Sequence, residues 1–174
     1  MPLSPLALLQ RYQPTDLREQ DFLARMLALA AASESWQRSH YVPGHFTASS
    51  FVFSPDLTQV ALIWHPRFGR WLQPGGHIEA EDTDIWAAAR REVTEELGLS
   101  ALSPLGEGLW DIDIHDIPAR KAEPAHQHFD LRFAFVTPPG PLNGELQAQW
   151  VSLDRARELE SDDSVQRGLA KVRR

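Results

Sequence analysis

Residues 74–99 read Pro74-Gly75-Gly76-His77-Ile78-Glu79-Ala80-Glu81-Asp82-Thr83-Asp84-Ile85-Trp86-Ala87-Ala88-Ala89-Arg90-Arg91-Glu92-Val93-Thr94-Glu95-Glu96-Leu97-Gly98-Leu99: a glycine loop, a helix and a glycine stop. Asp82 or Thr83 can cap the helix start, and Asp84 suits the positive end of the helix dipole. Gly98 stands where a left-handed terminal residue is wanted. Trp86, Ala89, Val93 and Leu97 recur at helical spacing and form a buried stripe. Glu92, Glu95 and Glu96 lie at i, i+3 and i+4 and share a neighbouring face. Like charges so placed destabilise a helix by roughly 0.2–0.5 kcal/mol per pair. Arg91 pairs with Glu95 one turn on but cannot neutralise three carboxylates. A divalent cation can, and hard oxygen ligands suit Mg²⁺ or Mn²⁺. The alternative for an isolated E-x-x-E-E is a solvated charged face; the flanking glycine loop and Leu97-Gly98-Leu99 favour the cation.

Together these residues resemble the Nudix box, G-x5-E-x7-R-E-U-x-E-E-x-G-U with U aliphatic. Arg91 to Leu99 match the second half at every fixed position. The first half departs: counted from Gly76, the glutamate position holds Asp82, and eight residues rather than seven separate it from Arg91. The resemblance implies a Nudix-type α/β/α sandwich around a mixed β-sheet, here with an N-terminal helical extension. It also implies a Mg²⁺ (or Mn²⁺) dependent hydrolase cleaving a pyrophosphate bond in a nucleoside diphosphate linked to another group. Glu92, Glu95 and Glu96, with a backbone carbonyl of Gly75, would then hold the metal. Arg91 would orient the glutamates, Asp82 would support them, and Glu95 or Glu145 would accept the proton of the attacking water. A nucleotide-binding sensor of the same fold without hydrolysis is the first alternative. An acidic helix with a purely structural role in an interaction domain is the second.

At 174 residues, one domain is the default, with an extension over 1–45, a core over 46–153 and C-terminal helices over 154–174. There is no cysteine, which excludes disulfides, thiolate zinc sites and a cysteine nucleophile, the last of which the isopentenyl diphosphate isomerases of this fold require. A net charge of −7 argues against a nucleic-acid polymer as partner and leaves a small nucleotide-type substrate open. No apolar run approaches membrane-spanning length and no signal peptide is visible, so a cytoplasmic protein is expected.

Residues 1–14, with three prolines, read as irregular. Asp16 and Glu19 predict a capping box opening a helix through about residue 33, with Phe22, Met26 and Ala30 on one line. That line suits packing on the sheet or, alternatively, a homodimer contact. Strands are expected over 47–54, 59–65, 109–117 and 146–153, with two short C-terminal helices. Gly75 and Gly76 permit positive φ and a close approach to a substrate.

Residues 126–135 alternate with period two: Phe129, Leu131, Phe133 and Phe135 face one way, and His126, His128, Asp130 and Arg132 the other. Arg132 suits a phosphate, and His126 or His128 a sugar or phosphate oxygen. A solvent face of His–Asp and Asp–Arg pairs is an equal alternative. Zinc on the paired histidines needs further ligands, and the sequence offers none that is obvious. Glu145 is the acidic residue best placed outside the box.

Overall fold

The computed structural model describes residues 4–159 and 161–172. In chain order the elements are α1 (Pro5–Leu9), α2 (Leu17–Leu29), β1 (Gly44–Phe53), β2 (Gln59–His65), β3 (Arg70–Leu72) and β4 (Gly75–His77). Then follow α3 (Ile85–Leu97), β5 (Ser103–Pro104), β6 (Asp111–Ile117), β7 (His126–Val136), β8 (Ala148–Ser152), α4 (Leu153–Glu158) and α5 (Asp163–Ala170). β1 and β7 are the centre of a mixed sheet and run parallel, from Gly44 opposite Gln127 to Phe53 opposite Val136. β6 and β5 pair antiparallel with β7. β1 pairs antiparallel with β4 at Thr47–Ser49 and with β2 at Val52 and Phe53. β2 in turn carries β3 and β8.

Alternation along β1 divides the core into two layers. Phe46, Ala48 and Val52 join Ala88, Ala89, Val93 and Leu97 of α3. Phe51 and Phe53 point the other way and meet Ala156 of α4 and Val165 and Leu169 of α5. Trp86 lies edge-on to Phe133 and Phe135, at 5.0 and 4.9 Å. This is the α/β/α sandwich the resemblance implies. α2 buries Met26 and packs Phe22, Leu23, Leu27 and Ala30 against the same core, so the line offered for a dimer contact is used inside the chain.

Several local expectations change. Residues 4–10 are not irregular: Ser4 caps α1, accepting from the Ala7 N–H at 3.2 Å, and Pro5 fills the first turn, where it loses no bond. α2 stops at Leu29, four residues early, with Ala30 as its C-cap. Asp16 caps it through the Glu19 N–H, but the Glu19 carboxylate does not complete the box and turns to Tyr12, Thr15 and Lys171. The start of α3 is capped by Asp84, which accepts from the Ala87 N–H at 2.9 Å, rather than by Asp82 or Thr83.

The polar face of β7 is no solvent face. Arg132 is 1% exposed, and Asp111, Asp113 and Asp130 are buried beside it. Its Nε donates to Asp130 at 2.8 Å and its Nη1 to Asp111 at 3.1 Å. Both Nη groups also reach Ser164, in the first turn of α5, at 3.0 Å. Arg167 of α5 donates to Asp113 at 2.8 Å, and Lys171 lies 2.7 Å from both Glu19 and Asp111. Burial pushes the Asp113 and Glu19 carboxyls up, yet the cations and donors around them win and hold both below the usual carboxylate range.

A carboxylate so lowered contributes stability that is present above its ordinary pKa and lost as pH falls through its folded value. Glu19→Ala should therefore destabilise the chain by about 3–5 kcal/mol, the cost of breaking a buried pair. Its deficit against wild type should shrink as pH drops below about 4. Urea unfolding of both chains at neutral and acid pH measures this.

Candidate active site

The glycine loop and the acidic helix meet through β4. The Gly75 N–H donates to Glu96 Oε2 at 2.9 Å. A Cβ on Gly75 would stand 2.2 Å from Ser49 Cβ, and one on Gly76 2.5 Å from Glu92 Oε1. Neither residue is among the glycines of positive φ, so the expectation of a left-handed loop is corrected: both are glycine because strand β1 and the Glu92 carboxylate leave no room for a side chain.

Arg91 holds the constellation in place. Its Nε and Nη2 grip Asp82 bidentately, both at 3.0 Å, and Nη2 also donates to the His77 carbonyl at 2.9 Å. Nη1 donates to Glu92 at 2.9 Å and to Glu95 at 3.1 Å. Asp82 also accepts from the Glu79 N–H at 2.8 Å, closing the turn before the helix. The extra residue before Arg91 thus falls in the turn and does not separate Asp82 from its partner. The Asp82 hydrogen bonds, supported by Glu92, raise the Arg91 pKa against the opposing effect of burial, so the group is a permanent cation.

Glu145 arrives from the segment before β8. Its N–H donates to the Glu95 carbonyl at 2.8 Å, and Gly144 packs so closely on Glu96 that a Cβ there would meet backbone at 2.1 Å. Burial raises the Glu92 pKa. Burial first, and then the charges of Glu92, Glu95 and Glu145, against the pull of the Gly75 N–H, raise Glu96 to about 7. Four carboxylates and one guanidinium therefore leave excess negative charge in a partly dry place, and the donor set is hard oxygen, which fits Mg²⁺ or Mn²⁺.

Gly75, Gly76, Arg91, Glu92, Glu95, Glu96 and Glu145 are thus brought together, while the rest of the expected set is elsewhere. Arg132 is buried among Asp111, Asp113 and Asp130, so the phosphate contact expected of it is corrected: its charge is already spent inside the fold. His126 and His128 lie in a cluster with His45 and His77. Sequence reasoning passed over both as ligands, because they sit on different strands and only the sheet register brings them to His128. A cavity of about 880 Å³ is lined by Leu8, Tyr12, Trp110, Arg167 and Lys171 among others and by none of the site glutamates.

A model of the NUDIX domain matches residues 43–171. The chain belongs to the Nudix hydrolase family, enzymes that act on acid anhydrides in phosphorus-containing compounds. No curated protein matches it in sequence. Among solved structures, it is similar to the dihydroneopterin triphosphate pyrophosphohydrolase of E. coli: TM-score 0.60, 16% identity, 73% of this chain and 93% of that one. It is similar too to the NUDIX domain of Shewanella oneidensis NrtR complexed with ADP ribose: TM-score 0.54, 15% identity, 72% and 84% covered. A MutT protein from Methanosarcina mazei Go1 gives TM-score 0.55 at 17% identity, with 71% and 88% covered. These likenesses show the fold. No helix among the described residues is long and apolar enough to cross a membrane.

With Glu96 raised in the folded state, the native metal-free chain binds more protons than the unfolded chain between about 4.5 and about 7. Its stability should fall as pH rises through that window. Thermal melts in a metal chelator from pH 5 to pH 8 should show this, and Glu96→Gln should flatten the profile.

Proposed function

We propose that this chain is a Mg²⁺-dependent hydrolase that cleaves the pyrophosphate bond of a nucleoside diphosphate linked to another group, as one domain with residues 1–45 as its extension. The reading is carried by Glu92, Glu95, Glu96 and Glu145 on and beside one helix, where Arg91 grips Glu92 and Glu95 and burial with the neighbouring charges raises Glu96 to about 7. Glu92, Glu95 and Glu96, with the Gly75 carbonyl, would hold the cation. When bound, the ion neutralises phosphate oxygens and lowers the pKa of a bound water.

The chain's own residues do the rest. Arg91 fixes the Glu92 and Glu95 carboxylates and ties them to Asp82. Gly76 keeps the loop free of side chain where a substrate phosphate would pass above Glu92. A carboxylate of Glu95 or Glu145, both exposed, takes the proton from water as it attacks phosphorus. A nucleoside triphosphate, ADP-ribose, diadenosine tetraphosphate and a nucleotide sugar form the panel that tests this, with both products identified. We expect Mg²⁺-dependent turnover of at least one, lowered about 10²-fold or more in Glu95→Gln and Glu96→Gln. Undiminished turnover in both variants removes the metal-helix assignment. Saturable nucleotide binding without product makes the chain a sensor.

A further inference from the structure

His45, His77 and His128 come from three neighbouring strands. His45 and His128 are register partners across the parallel β1–β7 pair, and His77 lies on β4, which pairs with β1 two residues further along. Their rings form a near-equilateral triangle, with centroids 5.2 Å apart for His45–His77, 4.8 Å for His45–His128 and 5.1 Å for His77–His128. One ring nitrogen from each lies within 4.8 Å of the others. We infer that these three histidines are a second metal site, distinct from the glutamates, that takes a borderline divalent cation of the Zn²⁺ class on three imidazole nitrogens.

His45 supplies an independent argument. It is fully buried, and its Nδ1 lies 3.2 Å from the His40 carbonyl. With the proton on Nδ1 and donated to that carbonyl, Nε2 keeps its lone pair, and Nε2 is a buried atom without a hydrogen-bond partner. A backbone carbonyl that fixes the ring and tautomer is how metal-bound histidines are commonly held. Among the described residues, His77 and His128 make no side-chain hydrogen bond either. No carboxylate joins the triangle to explain it as a set of ion pairs.

Nitrogen donors select against Mg²⁺ and for zinc-like ions. Tetrahedral zinc with Zn–N of about 2.0–2.1 Å sets its nitrogens roughly 3.3 Å apart, so a small ring rotation closes the site and leaves a fourth position open. His126 stacks on His45 at 5.1 Å. The two sites share β4 but not its faces: Gly76 turns to Glu92, and the His77 ring turns to the other side.

The test uses the full chain without a histidine tag, as wild type, Glu92→Gln/Glu96→Gln, His77→Gln and His128→Gln. Calorimetric titration should find one Zn²⁺ bound alike by wild type and the glutamine double variant, and at least about 100-fold more weakly by each histidine variant. Co²⁺ should give the visible bands of tetrahedral nitrogen ligation in the first two only. Should a variant fail to fold, imidazole ¹⁵N resonances of wild type, followed through the Zn²⁺ titration, give the answer without substitution. Absence of Zn²⁺ binding, unshifted imidazole signals, or Zn²⁺ binding lost with the glutamates and kept without the histidines overturns the proposal. None of these outcomes bears on the hydrolase reading, which stands on the other face.

Discussion

One guanidinium links everything at the acidic helix. Arg91 reaches back across the turn to Asp82, sideways to the His77 carbonyl, and along its own helix to Glu92 and Glu95. Apart from Arg91, the loop meets the helix through the Gly75 N–H on Glu96, and it has only a three-residue strand to hold it. A bidentate grip sets orientation as well as distance, which a lysine ammonium would not do. The glutamates can therefore crowd each other without the loop swinging away.

Much of this was readable in the residues. Arg91 to Leu99 match a spaced pattern at every fixed position, and the pattern carries the helix, its Gly98 stop and the placing of three carboxylates. Hydrophobic alternation found the central strands because they are long and run through the core. Asp82 was harder. A one-residue insertion in a turn changes the count but not the reach of a side chain, and only coordinates show that Asp82 still meets Arg91. The glycines were right for a different reason: the constraint is a neighbouring strand and a carboxylate, which no local propensity records.

The misreading of β7 has a general cause. Period two tells which residues share a face but not what covers that face. His126, His128, Asp130 and Arg132 do share one, but α5 closes over its Arg132 end. Asp111 and Asp113 come from β6, Arg167 and Lys171 from the far end of the chain, and Glu19 from near its start. Charge balance of that kind is a property of the folded chain alone. The same holds for His45 and His77, set by register beside His128.

The contact between Glu19 and Lys171 joins a residue near the beginning to one near the end. As the chain leaves the ribosome, α2 lacks these cations for its buried carboxylate until Arg167 and Lys171 have been made. The N-terminal segment must then wait, loosely held, while the sheet it will cover assembles. Cutting the chain before Lys171 would reach across the molecule and unsettle its first long helix.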